Sequence, residues 1–373
     1  MQQAAYSLLT AEERTRIHLA FGRRGLAAMS TDTTEPRLFE VADALNRGAG
    51  LVSDPAERLL ISALNHRAGA KAQRALAFSA ARAYFRHGLE LLSADAPRSH
   101  RAEWLELLHA EVVCAFRSGD LEGAERLIEE VLPQLQTPLE AAELLRLRVD
   151  GNVGYSRPAE AIAAGREALR HLGSPLPERL DEDAVRAEVH ALEQRLQSLP
   201  REALLSAQSL EGARTEASMR ILSSLFHPAW LRAESTLVSA VVTRMIELTL
   251  DHGVGPESGP ALAYFGIVYG AAVGDVAAGY EDARVGLELA HRAGDRRAEC
   301  QARVSVAYAM SPFRIPLRDC IDELDLIAEL AWDSGDVAYV LYAQALRSNT
   351  SLAAGVELSR LLPEFQKSIA LAA

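Results

Sequence analysis

The sequence predicts an all-α fold, an α-solenoid built of antiparallel helix pairs, and three observations carry that prediction. Ala, Leu, Glu and Arg are abundant while aromatics make up 6% of the chain, and those four side chains lose little freedom in a helical turn. Apolar residues recur at helical spacing in stripes that end at Gly-Asp or Pro breaks. No stretch shows the strict alternation or the Asn-Gly turn of a β-hairpin. With 373 residues, 49% of them apolar, the chain can bury one or two sizeable cores.

From the N-terminus, helices are expected over residues 11–29, 36–48, 55–69 and 71–92. Pro36 and Pro55 suit first-turn positions, where a missing N–H is no loss, and Gly48 and Gly69 suit helix ends. Residues 102–134 give the clearest repeat unit. Leu105, Leu108, Val112, Ala115 and Phe116 form one apolar stripe. Gly119 then suits a left-handed C-cap and Asp120 an N-cap. Ala124, Leu127, Ile128 and Val131 form the second stripe, so the two helices make an antiparallel hairpin.

The pattern returns after Thr137-Pro138. Ala141, Leu144, Leu145 and Val149 line one helix, a break runs from Gly151 to Pro158, and Ala161, Ile162, Gly165, Ala168 and Leu169 line the next. Ala124 and Ala161 occupy matching places, and small residues there let paired helices approach closely. Their offset slightly exceeds the roughly 34-residue tetratricopeptide period. The units are therefore tetratricopeptide-like and degenerate. Gly274-Asp275, Gly294-Asp295 and Gly335-Asp336 repeat the same break downstream.

One boundary stands out. Gly173-Ser174-Pro175-Leu176-Pro177 cannot continue a helix, and Asp181, Glu182 and Asp183 complement the dipole of a new one. That helix carries Val185, Val189, Leu192, Leu196 and Leu199, a seam of two heptads and too short for a coiled coil. The expected organisation is an N-terminal repeat block over 1–173, a linker and packing helix over 174–200, and a C-terminal repeat block over 201–373. A second Gly/Pro-rich break spans Asp251 to Pro260.

The charge balance bears on partners. A net charge of −12, from 39 basic and 51 acidic residues, argues against a nucleic-acid binder, which needs basic surface to displace counterions. It argues equally against an anionic membrane surface. Arg23-Arg24 is too short a basic run to change this. The longest uncharged stretch, Ser258 to Gly274, falls short of the ~20 residues of a membrane span. Cys114, Cys300 and Cys320 match neither a zinc site nor a disulfide framework, and no basic-then-apolar leader opens the chain. A cytoplasmic setting is expected.

No catalytic signature emerges. Gly151-Asn152-Val153-Gly154 and Gly253-Val254-Gly255-Pro256 lack the Lys-Ser or Lys-Thr of a phosphate loop, and no strand precedes them. His87, His109 and His190 read as packed or surface residues on helices, and Cys114 near His109 has no further ligand close by. Asp322, Glu323 and Asp325 alternate with leucines and read as a solvated helix face rather than an acid–base pair. No cofactor is expected. The candidate binding residues are Tyr264, Phe265, Tyr269 and Tyr280, a cluster of rings in an aromatic-poor chain. Such rings suit a recognition surface; the preferred alternative is that they fill a core beside glycines that leave gaps.

Three stretches resemble a known group of proteins. The first is Gln2-Gln3-Ala4-Ala5-Tyr6-Ser7-Leu8 leading to His18-Leu19-Ala20-Phe21-Gly22-Arg23. The second is Leu38-Phe39-Glu40-Val41 with Leu45-Asn46-Arg47-Gly48, continuing into Ala63-Leu64-Asn65 and Ala68-Gly69-Ala70-Lys71-Ala72. The third is His252-Gly253 with Ala263-Tyr264-Phe265-Gly266, then Gly279-Tyr280 and Ser334-Gly335-Asp336-Val337-Ala338-Tyr339. In order and spacing these resemble the helical region of large bacterial signalling proteins. Those proteins combine a serine/threonine-kinase-like domain, a STAND-type NTPase and a sensor histidine kinase.

The resemblance implies a non-catalytic regulatory or scaffold segment. It would bind a protein partner, the attached NTPase or kinase domains, or a small ligand. It also implies that the chain is a piece of a longer polypeptide. A free-standing helical adaptor, or a helical enzyme with an unrecognised carboxylate or His site, is the alternative.

Overall fold

A computed structural model describes residues 9–29, 37–178, 181–333 and 337–372. Gln2 to Leu8, Pro36 and Ser334-Gly335-Asp336, singled out above, lie outside the described residues. Among the described residues there are 19 α-helices and no strand, with one isolated parallel bridge between Ser209 and Val254. The chain divides into two compact units, Met1–Gln136 and Thr137–Ala373.

The first unit contains α1 (Ala11–Met29), α2 (Leu38–Gly48), α3 (Pro55–Arg74), α4 (Phe78–Leu91), the short α5 (Ala96–Ser99), α6 (Arg101–Arg117) and α7 (Leu121–Val131). Sequential helices pack as neighbours: α1 on α2, α3 on α4, α4 on α6, α6 on α7. Leu19, Val41, Leu45, Ile61, Leu64 and Leu91 form its principal core. The caps follow residue chemistry. Asp54 accepts from the Ala56 and Glu57 amides ahead of Pro55, and Asp120 accepts from the Gly123 amide at 2.9 Å. Arg58 donates to the Glu90 and Leu91 carbonyls, each at 2.9 Å, closing the end of α4.

The stripe on α6 is wider than its periodicity suggests, because it buries a carboxylate. Glu111 is buried between Arg82 at 3.8 Å and Arg86 at 3.2 Å, and Arg82 reaches on to Asp120 at 2.6 Å. A buried charge persists only when paired, so this network ties α4, α6 and the cap of α7 together.

Expected boundaries move at two glycines, and the helix that begins at Pro138 runs on through Gly151 to Gly154. Gly69 does not end α3, which runs to Arg74. Gly69 is buried against Phe85, where a side chain would meet the ring at 2.6 Å. The turn falls instead at Leu76, with a φ of 59°, a conformation that leucine's residue type does not announce.

The second unit runs through α8 (Pro138–Gly154), α9 (Pro158–His171), α10 (Glu182–Gln197), the short α11 (Arg201–Leu205), α12 (Ala213–Leu231) and α13 (Ser235–His252). It continues with α14 (Ser258–Val273), α15 (Val276–Ala293), α16 (Arg296–Ser305), α17 (Leu317–Asp333), α18 (Val337–Ala353) and α19 (Leu358–Ala372). A π turn over Val306–Met310 follows α16. Thr137 and Glu140 form a reciprocal capping box at the start of α8. Asp181, Asp275 and Asp295 accept from the Ala184, Ala278 and Ala298 amides at 2.8–3.0 Å. Gly274 and Gly294 close α14 and α15 at φ 85° and 69°. Each cap of this kind stabilises its helix by about 1 kcal/mol.

Helix pairing here is also sequential, α8 with α9, α12 with α13, α14 with α15 and α17 with α18, but α8 and α9 dock onto α12. Ser224 donates to Asp150 at 2.8 Å and Arg220 pairs with Glu143 across that junction. Helix α10 is not part of the α9–α12 contact; it lies on α13 and α14. The uncharged stretch becomes α14, buried nearly all round. Among the described residues no helix is long and apolar enough to cross a membrane.

Candidate functional site

Three of the four candidate binding residues lie in the interior. Tyr264, Phe265 and Tyr269 on α14 are 1%, 0% and 5% exposed, whereas Tyr280 on α15 is half-buried beneath Arg314 at 5.5 Å. The nearby glycines do not leave gaps for these rings. Gly259 and Gly266 face the backbone of α15, and the rings turn elsewhere. Tyr264 stacks on Phe226 of α12 with centroids 3.6 Å apart and planes within 5°. Phe226 stacks in turn on Trp230 at 5.9 Å, and His227 meets the Tyr342 ring edge-on at 4.3 Å. Burial holds the Tyr264 phenol well above its ordinary range and pushes the His227 imidazole down to about 4. Both groups are therefore neutral at physiological pH.

Trp230, at the outer end of this ring cluster, is 45% exposed and forms one wall of a cleft of about 590 Å³. Helix α10 also lines it, with Val185 and Val189. The floor is the C-terminal half of α14, where Ile267, Val268 and two alanines keep the surface low and apolar. Polar groups are few. Ser235, Thr236 and Ser239 bring hydroxyls from the first turns of α13, and Arg186 pairs with Glu182 at 3.1 Å on α10. This volume, an apolar lining and a few polar groups to one side are the features of a small-molecule site. The lining contains no histidine, cysteine or lysine.

The local cause is chain geometry. The Gly-Ser-Pro break frees α10 from the α8–α9 stack, and its seam residues then seat on α13 and α14. A tight turn through Ala233, at φ 54°, reverses the chain between α12 and α13 and leaves Trp230 at the edge. In the sequence Val185 and Val189 read only as packing residues, and neither Trp230 nor the α13 hydroxyls stand out. The usable signal was an isolated Trp three residues before a turn, together with an amphipathic helix that follows a linker.

The other singled-out groups are mostly buried or paired. All three cysteines are buried, and burial raises the Cys114 thiol to about 11, away from the thiolate form. His87 meets Glu90 at 3.2 Å and His190 meets Gln194 at 3.1 Å. Glu323 pairs with Arg303 at 2.6 Å, and Asp325 with Arg347 at 2.5 Å. Among the described residues no group of three or more His, Cys, Asp or Glu is placed to hold a metal ion.

No known protein-family profile matches the chain. A circular tandem repeat protein with novel repeat topology and enhanced subunit contact surfaces aligns over 97% of this chain and 90% of its own. Its identity is 13% and its TM-score 0.18, too low to carry an argument about fold. The sequence is 22% identical over 333 residues to hybrid signal transduction histidine kinase G of Dictyostelium discoideum, across 78% of this chain and 10% of that protein. The chain thus spans about a tenth of the length of that relative, and most of its own length is distantly similar to a signal-transduction protein.

Proposed function

We propose that this chain is a non-catalytic regulatory segment of a signalling protein, and that its cleft takes a small, largely apolar ligand. The cleft between α10, Trp230 and the end of α14 is the observation that carries the reading. The distant similarity to a histidine kinase supports a signalling context. In that context the helix pairs act as a tetratricopeptide-like scaffold and relay occupancy to attached NTPase or kinase domains. Coupling of that kind requires the ligand to contact two states differently. Helix α10 is the element placed to differ, since it walls the cleft and follows a Gly/Pro break.

The test uses 1-anilinonaphthalene-8-sulfonate as an apolar probe of the full chain. One saturable fluorescent site is expected, abolished by Ala271→Trp, which fills the exposed floor of the cleft without disturbing a buried position. Absence of a saturable site, or unchanged binding in Ala271→Trp, would overturn the assignment.

A further inference from the structure

Helix α10 holds another feature, beyond its cleft-lining end. Glu193 is 2% exposed, yet its Oε2 has no hydrogen-bond partner. Its Oε1 accepts from Gln197 Nε2 at 2.7 Å. On α15, Asp282 Oδ2 is likewise buried and without a partner, and this carboxyl faces Glu193. Two carboxylates pressed together away from water cannot both stay ionised. One proton between them turns two orphaned acceptors into a single O–H···O hydrogen bond.

The surrounding groups supply no cation in its place. Glu281, beside Asp282, adds negative charge and is paired with Arg284 at 3.3 Å. Arg201 of α11, which lines a small cleft with Asp282, is held by Glu288 at 2.5 Å. Helix α14 contributes Tyr269, whose phenol is raised by burial and then by Glu193, Asp275 and Asp282. Helix α13 offers Arg244, engaged by Glu247 at 2.9 Å, and Asp251, engaged by Arg195 at 2.5 Å. On α10 itself, Glu188 faces Glu247 and its carboxyl is raised by burial and that neighbour.

We propose that Glu193 and Asp282 share a proton as a clasp between α10 and α15, and that losing this proton at alkaline pH loosens α10 and opens the cleft. The regulation of the cleft rests on the ligand-binding reading above; the clasp does not. Burial and Glu193 together push the Asp282 carboxyl up from its ordinary 3.8 to about 8, and the proton belongs to the pair. Between those values the folded chain keeps a proton that the unfolded chain has released. Stability therefore falls as pH rises through that window, and above it two like charges face each other.

Hydrogen exchange of the full chain tests this, at roughly pH 6 and roughly pH 9, with each amide rate divided by its intrinsic rate. In the native sequence the α10 amides should lose protection about a hundred-fold at the higher pH, while α8 and α12 do not. Asp282→Asn and Glu193→Gln each supply an N–H in place of the proton, and α10 should stay protected in both at either pH. Uniform α10 protection in the native chain, or the same loss in both variants, overturns the clasp. Titration with 1-anilinonaphthalene-8-sulfonate at both pH values separates the two readings. Loosening of α10 without any saturable probe site sustains the clasp and sinks the ligand reading. Probe binding that ignores a loosened α10 sinks the link between them.

Discussion

Two kinds of glycine contact join the helix pairs, and they work in opposite ways. At Gly69 and Gly22, in the N-terminal unit, the glycine receives a side chain. A Cβ on Gly69 would stand 2.6 Å from the Phe85 ring, and one on Gly22 would stand 2.6 Å from Leu45. Between α14 and α15 a glycine receives backbone. A Cβ on Gly266 would lie 2.1 Å from the Gly279 carbonyl oxygen, and one on Gly286 would lie 2.5 Å from that of Gly259. A ring can turn or slide within its notch. A carbonyl is held by its own helix, so the second kind of contact sets the separation of two whole helices. With α15 flush against one face of α14, the rings of α14 must go elsewhere. Tyr264 goes onto Phe226, and the stack that begins there ends at Trp230 on the wall of the cleft.

The ring side of α14 should give the largest effect. Tyr264→Ala removes a fully buried ring from that stack and should destabilise the chain by about 4 kcal/mol, as large aromatic truncations do. Tyr280→Ala, half-buried on the far side of the seam, should cost about 1 kcal/mol, within the common range for a partly exposed site. Urea denaturation of both variants compares them directly. A loss below about 1 kcal/mol for Tyr264→Ala would contradict its place in the core.

The seam itself comes next. Gly266→Ala and Gly279→Ala each drive a methyl group into an opposing carbonyl, at 2.1 and 2.3 Å. Each should destabilise by about 3 kcal/mol, the upper part of the overpacking range, despite the better helix propensity of Ala. Denaturation midpoints indistinguishable from those of the native chain would show that the helices can part freely. The seam would then not position the rings.

Much of the fold was legible because caps are local chemistry. Asp120, Asp275 and Asp295 sit after glycines and do accept from the amides three residues on. Thr137, Pro138 and Glu140 spell out a capping box within four residues. Gly69 misled because a glycine inside a helix and a glycine ending one look alike in sequence, and only the partner ring distinguishes them. The seam was legible in principle, since Gly259 and Gly266, then Gly279 and Gly286, repeat one spacing on consecutive helices. The cleft was not. Its walls come from α10, α12, α13 and α14, and nothing local in any of them states which faces will meet. The proton clasp is hidden for the same reason, because Glu193 and Asp282 look like ordinary charged helix positions until burial removes their water.

The smallest effect is the most discriminating, because it separates a notch from a seam. Gly69→Ala gains about 1 kcal/mol from helix propensity but places a methyl 2.6 Å from the Phe85 ring. That clash costs about 2 kcal/mol where the ring must shift, so a net destabilisation of about 1 kcal/mol is expected. In a Phe85→Leu background the ring edge is gone and the same substitution should become neutral or slightly stabilising. The double-mutant cycle should therefore show a favourable coupling of about 1–2 kcal/mol between positions 69 and 85. No equivalent rescue exists at Gly266, where the first obstacle is the main-chain oxygen of Gly279 and no side-chain truncation removes it. A coupling near zero at 69 and 85 would mean that Phe85 does not seat in the Gly69 notch. The contrast between the two kinds of glycine contact would then fail at its N-terminal end.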